Sequence, residues 1–330
     1  MSDPKNKIIE TPAVAFMIFN RPNYTKAVFA EIRKARPPKL FIVADGPRTP
    51  SEEAVCKETR AVVQTIDWPC EVNRNYAEKN LGLKERFHSG LNWFFENVEE
   101  GIILEDDCLP HPSFFRFAGE ILERYRDNEQ IMMVSGDNFL PNLKNDESYF
   151  FSRYFSVWGW ATWRRAWGKY DVEMRGWGSR KNKEKIKKVY PQKFMVKHII
   201  KLLDDEYAKK HTWDPQWLYA CLMHDGLCIT PHVNLISNIG VEGTHQGGYN
   251  QNLPTYDMYA TGGLRHPETI TENTNYDNTF YERDFKPKPQ TLWTYLRRKV
   301  IAILVKYEFI KKIYRSFVKI KKFLTPAKQG

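Results

Sequence analysis

The sequence predicts an α/β fold with a mostly parallel central sheet and flanking helices. Two observations carry this. Across the first 137 residues, short apolar runs alternate with stretches of helical spacing, and that β-α-β-α order requires crossovers between parallel strands. The apolar runs also end in polar clusters (FNRP, ADGPR, EDD and SGDN), as expected where ligands bind at the carboxyl edge of such a sheet.

The strand candidates are AVAFMIFN (13–20), LFIVADG (40–46), CEVNRN (70–75), GIILEDD (101–107) and IMMVSGD (131–137), each bounded by turn residues. Between them, 23–34, 51–66, 83–98 and 112–126 show helical spacing and helix-start signals. Beyond residue 146 the alternation fades into the aromatic-rich SVWGWATWRRAW, a lysine-rich stretch at 180–210, and HTWDPQWLYACLMHDGLCITP. Residues 247–289, rich in Asn, Thr, Tyr and Pro, read as an irregular connection. No internal repeat is visible.

A chain of 330 residues, 42% hydrophobic, is long enough to bury a sizeable core. The five cysteines are scattered without a CxxC pair, so neither a disulfide framework nor a structural zinc site is expected, and a reducing cytosol fits. The N-terminal MSDPKNKIIE lacks the apolar core of a signal peptide, and no apolar run is long enough to span a bilayer. The net charge of +10 is unevenly spread: residues 291–324 hold ten basic residues and one acid, so this segment accounts for nine of the ten excess charges. Its apolar residues recur at roughly helical spacing, which predicts a basic amphipathic helix on an anionic membrane surface. The near-neutral body argues against nucleic acid as a partner. The expected organisation is a catalytic domain at 1–250, a link at 251–290 and the membrane helix at 291–324, with the protein cytoplasmic and peripheral on the inner face of the cell membrane.

Two constellations carry chemistry. In GIILEDDCLP an apolar strand runs into Glu105, Asp106 and Asp107, and three adjacent negative charges need water or a cation beside them. A hard divalent cation, Mn²⁺ or Mg²⁺, accepts one or two carboxylates when phosphate oxygens and water complete its shell. Strand alternation would put Glu105 and Asp107 on one face and Asp106 on the other. In HTWDPQW, Asp214 stands where a helix starts, followed by Pro215; it serves as an N-cap, and between tryptophans it also suits a general base.

NRP after the first strand, DGPR after the second, NLGLKE at 80–85, the EDD triplet, GWATWRRAW, the WD pair and ITPHVNLISNIGVEGTH occur in this order. This ordered set resembles the GT-A glycosyltransferases, most closely N-acetylglucosaminyltransferase I and its bacterial relatives, over roughly 13–245. The resemblance implies a UDP-sugar donor, with Asp107 as ligand of Mn²⁺ and Glu105 and Asp106 near the sugar and ribose. It implies Asp45 at the uracil, Asn20, Arg21 and Arg48 at the base or diphosphate, and Asp214 as catalytic base. It also implies His245 in a loop that closes over the metal and diphosphate. Beside these, Lys84 either helps neutralise the diphosphate or is a solvated residue opening a helix, and Trp158 and Trp160 are either core or, with Trp213, line the donor or acceptor pocket. The implied reaction is an inverting transfer of an N-acetylhexosamine or hexose to a hydroxyl of a surface glycan or lipid-linked acceptor. Two departures stand in the sequence: the paired aspartates of the family are Asp-Pro here, and His245 lies in EGTHQGG.

Three other classes compete. A sugar-phosphate nucleotidyltransferase should carry a glycine-rich phosphate loop after the first strand, and FNRPNYTKA has none. A metal-dependent hydrolase needs ligands gathered from several strands, and the histidines are not spaced for that. A noncatalytic sugar- or membrane-binding protein would tolerate loss of Asp214.

Overall fold

The computed structural model describes residues 10–209, 211–240 and 253–286, together with Tyr307. The chain divides into two units, Met1–Phe285 and Lys286–Gly330, and the sheets and helices named here belong to the first.

Eight strands form the central sheet: β1 (Val14–Ile18), β2 (Lys39–Ala44), β3 (Glu71–Tyr76), β4 (Glu100–Glu105), β6 (Ile131–Ser135), β7 (Tyr149–Ser152), β8 (Trp160–Trp163) and β9 (Leu227–Pro231). Their order across the sheet is β3-β2-β1-β4-β8-β6-β9-β7. A short antiparallel pair, β5 (Cys108–Pro110) and β10 (Ile236–Asn238), stands beside it. β1, β2, β3 and β4 are parallel, as the alternation predicts. β8 runs antiparallel to β4 and β6, and β7 antiparallel to β9, so the second half of the sheet is mixed.

Side-chain alternation explains why β1, β2 and β4 are almost continuously apolar. Val14, Phe16, Ile18, Leu40, Ile42, Ile102 and Leu104 point into one core, and Ala15, Met17, Phe41, Val43 and Ile103 into another. Both faces are covered, so no position is left for a polar residue until the strand ends. Helices α1 (Pro22–Ala35) and α4 (Pro112–Arg124) pack on the first face, with α2 (Glu53–Val62) against α1. α3 (Leu83–Asn97) and the short α5 (Arg164–Trp167) cover the second. Pro22 and Pro112 open their helices, where a missing N–H costs nothing. The register sets Met17 opposite Glu105 and Ile18 opposite Ala44, so three strands end at one level and release their loops onto one edge.

The second half departs from the sequence expectation in two places. The lysine-rich stretch forms α6 (Arg180–Val189) and α7 (Lys193–Lys209), which turn Ile186, Met195, Ile199 and Leu203 inward against Trp177 and against Tyr219 and Leu222 of α8 (Asp214–Met223). Residues 253–285, expected as an irregular link, pack on the body: Met258 joins the main core, and α9 (Thr274–Phe280) lays Tyr276 and Phe280 against Phe150. Asp277 of α9 is buried and accepts bonds from the Ser152 hydroxyl (2.6 Å) and the Arg153 amide (3.0 Å), and burial pushes its carboxyl up to about 7. Arg165, in the segment read only as aromatic-rich, donates to the carbonyls of Tyr125, Arg126 and Ile131 beyond α4. Among the described residues no helix is long and apolar enough to cross a membrane. The predicted helix at 291–324 lies outside the described residues apart from the exposed Tyr307.

Candidate active site

The polar edge predicted from the strand ends exists, and the acidic triplet is its centre. Strand β4 stops at Glu105; Asp106 and Asp107 form a turn before β5. The expected strand therefore ends two residues early, and both aspartates reach a single partner. Arg21, between β1 and α1, donates through Nη1 to Asp107 Oδ2 (2.7 Å) and through Nη2 to Asp106 Oδ1. Burial works against the Arg21 charge, but the two carboxylates hold its pKa above the ordinary value. Asp106 is 2% exposed, and burial pushes its carboxyl up to about 7 against the pull of Arg21. Asp106, expected with Glu105 near the sugar and ribose, is thus held in a buried ion pair.

Glu105 is partly buried. Burial first, then Asp107 and Asp106, raise its carboxyl well above the usual range; Arg21 opposes and Asp214 adds to the rise. Asp214, remote in sequence, is thus within electrostatic reach of the strand end. It is the first residue of α8, with Pro215 following. The Thr212 hydroxyl donates to Asp214 Oδ1 at 2.6 Å, and the buried Glu206 accepts from the Thr212 amide and from Gln216 Nε2, each at 3.2 Å.

The tryptophans expected to hold a sugar divide. Trp213 is 2% exposed, stacked at 4.5 Å on Phe87 and at 5.6 Å on Trp160, which is itself 1% exposed. Both rings are packed in the core and fix the turn that carries Asp214, which for Trp160 is the core alternative open in the sequence. Trp158 keeps some exposed surface, its amide donating to Asp137 Oδ2 at 3.2 Å and its ring standing edge-on to Phe139.

On the β2 side, Asp45 is buried and saturated. Oδ1 accepts from the amides of Gly46 (2.8 Å) and Leu81 (2.9 Å), and Oδ2 from Asn80 Nδ2 (3.0 Å) and the Gly82 amide (3.1 Å). It ties the DGPR loop to the NLG loop, leaving no lone-pair direction for a base. A side chain on Gly46 would put Cβ 2.5 Å from the Lys79 backbone, so glycine is what lets these loops touch. Asn20 and Arg48 share Glu52: Asn20 Nδ2 lies 3.1 Å from Oε1, and the Arg48 amide 2.8 Å from Oε2. Lys84, expected at the diphosphate, is buried within 3.4 Å of Glu173 Oε1. His245 lies outside the described residues.

No protein-family model and no curated protein matches the chain. Among solved structures it is similar to HddC from Yersinia pseudotuberculosis complexed with GMP-PN, at 8% identity over 47% of this chain and 77% of that one, with a TM-score of 0.29. It is also similar to the galactosyltransferase LgtC in complex with donor and acceptor sugar analogues (11% identity, 64% and 70% covered, TM-score 0.32). Mouse xyloside xylosyltransferase 1 in its apo form gives 10% identity, 66% and 83% covered, and a TM-score of 0.33. At such scores the functional reading has to rest on this chain's own residues.

A divalent cation does not fit the residues as they stand. Asp107 Oδ2 is taken by Arg21, and a Cβ added at Gly240 would lie only 2.4 Å from the same oxygen, so position 240 admits no side chain. Asp107 Oδ1 accepts the Cys108 thiol at 3.6 Å. Among the described residues no group of three or more His, Cys, Asp or Glu could hold a metal ion. The residues present therefore do not match the expectation of Asp107 as ligand of Mn²⁺ or Mg²⁺.

Sequence reasoning missed three contributors. Tyr170 donates to the Trp213 carbonyl at 3.2 Å, and burial with the nearby Asp214 and Glu206 pushes its phenol up, so it stays a neutral donor. Asp137, in SGDN, is raised well above the carboxylate range by burial and holds the Ser156 hydroxyl and the Trp158 amide. Gly240 follows β10, where the Ile239 amide binds the Asp107 carbonyl at 2.9 Å. SGDN was visible as a strand end; Tyr170 and Gly240 had no local signal.

Proposed function

We propose that this protein is a glycosyltransferase that moves a hexose or N-acetylhexosamine from a UDP-sugar to an acceptor hydroxyl. The observation that carries the reading is that Asp214, at the start of α8, lies within electrostatic reach of Glu105 at the acidic end of β4. The ordered motifs support it, and a β-α-β edge is where a nucleotide would lie.

In the transfer, the acceptor oxygen bonds to the anomeric carbon as the bond from that carbon to the diphosphate oxygen breaks, and the hydroxyl proton passes to Asp214. Thr212 fixes the orientation of that carboxylate, and the stack of Phe87, Trp213 and Trp160 holds the turn beneath it. Glu105, at the end of β4, would contact the sugar. Attack from the side opposite the nucleotide gives inversion. The acceptor is a surface glycan or lipid-linked sugar, met at the inner face of an anionic membrane through the basic segment 291–324.

Asp214→Asn should lower turnover by about a hundred- to ten-thousand-fold, the usual contribution of a general base, with UDP binding retained. Full activity in that variant would remove Asp214 from the reaction. A thermal-shift screen of nucleotide sugars identifies the donor, since a ligand that binds only the folded state raises the melting temperature.

A further inference from the structure

We propose that Arg21, not a divalent metal ion, is the cation serving the Asp106–Asp107 pair, and that nucleotide binding at this edge does not depend on added metal. The nucleotide part rests on the transferase reading above; the metal part stands without it. Arg21 is delivered by fixed backbone: its carbonyl accepts from the Thr25 amide (3.0 Å) and hydroxyl (2.9 Å), so the first turn of α1 holds the residue in place. The guanidinium then forks, one terminal nitrogen to each aspartate. A planar fork spanning two carboxylates is a geometry that arginine supplies and a point charge does not.

Asp106 makes this arrangement hard to give up. It is buried, and Oδ2 has no hydrogen-bond partner, so Arg21 is the charge that compensates it. Withdrawing one partner strands a buried carboxylate, which is costlier than never having formed the pair. A metal ion at Asp107 would have to displace the guanidinium from Oδ2, bringing two like charges together on one carboxylate. The Arg21 side chain meanwhile stays 33% exposed, and two of its five N–H donors are spent on the aspartates. The remainder can meet diphosphate oxygens from the solvent side.

Mn²⁺ alone, titrated into the full chain and followed by electron paramagnetic resonance, tests the first part. Wild type should bind it no more tightly than about 1 mM, whereas Arg21→Gln, which frees Asp107 Oδ2, should bind at least about ten-fold more tightly. Arg21→Lys, which keeps the charge but not the fork, should fall between the two. Equal Mn²⁺ affinity in wild type and Arg21→Gln, or tighter binding by Arg21→Lys than by Arg21→Gln, would overturn the assignment. Calorimetry with UDP tests the second part: wild-type affinity should be the same with EDTA or Mn²⁺ within about two-fold, and Arg21→Gln should lose at least about ten-fold in EDTA. A wild type that needs Mn²⁺ for UDP refutes the proposal even if Arg21→Gln fails to fold. If UDP binds wild type under neither condition, the transferase reading fails, and the titration with Mn²⁺ alone still decides the role of Arg21.

Discussion

Replacing Trp213 separates a core residue from a sugar platform. Its indole is 2% exposed between Phe87, at 4.5 Å and nearly parallel, and Trp160 at 5.6 Å. Trp213→Ala removes a fully enclosed ring and leaves a cavity, which typically costs about 3–5 kcal/mol. Stacking accounts for about 0.5–1.5 kcal/mol of that for each aromatic neighbour. In a body of this size each kcal/mol lowers the melting temperature by about 2 °C, so a fall of about 6–10 °C is expected in a thermal scan. Trp213→Phe keeps one ring against Phe87 and should lose about half as much. Because Trp213 precedes α8, kcat should fall with Asp214 displaced, while the affinity for the nucleotide sugar stays within about two-fold. An unchanged melting temperature with a large rise in KM would refute the reasoning and put the ring against the ligand.

Three further outcomes are expected. Asp277 titrates near 7 in the folded protein and lower when unfolded, so its contribution is greatest at low pH and is lost as pH rises from about 4 to about 7. Asp277→Asn should therefore gain on wild type by up to about 1.4 kcal/mol per pH unit across that window, and a pH-independent difference in urea midpoints would contradict it. Asp45→Ala strands four donors around the 80–82 loop and should cost about 3 kcal/mol; hydrogen exchange at Leu81 and Gly82 should accelerate, and unchanged protection would show that the loop is held otherwise. Gly240→Ala forces Cβ onto Asp107 and should cost about 1–3 kcal/mol in a denaturation series, whereas wild-type stability would mean that the 240 backbone yields.

The sequence announced what local pattern controls. Strands β1 to β4 and β6 lie within two residues of their predicted bounds, because an apolar run between turn residues leaves little choice. Asp214 at the start of α8 was legible for the same reason: Asp-Pro is a helix-opening pair. The pairing of Arg21 with the aspartates was not legible, since it depends on β1 and β4 lying side by side and on β4 stopping at Glu105 rather than two residues later. Trp160 stayed open and Trp213 misled because a tryptophan suits a sugar face and a core equally well, and only long-range packing decides between them. The segment at 253–285 misled because Asn and Thr read as loop, while Met258, Tyr276 and Phe280 carry the packing.

The length of β4 fixes the site as firmly as its residues do. Ile102 and Leu104 face one core, Ile103 the other, and Met17 stands opposite Glu105. Deleting one residue ahead of Glu105 would exchange the two faces and turn the carboxylate to the other side of the sheet. Deleting two would restore the faces but draw the triplet back by about 7 Å, beyond the grasp of a guanidinium anchored at the end of β1. The strand can thus change its side chains more freely than its count. In a set of related chains, substitutions within β4 should be common and insertions or deletions between Gly101 and Glu105 absent.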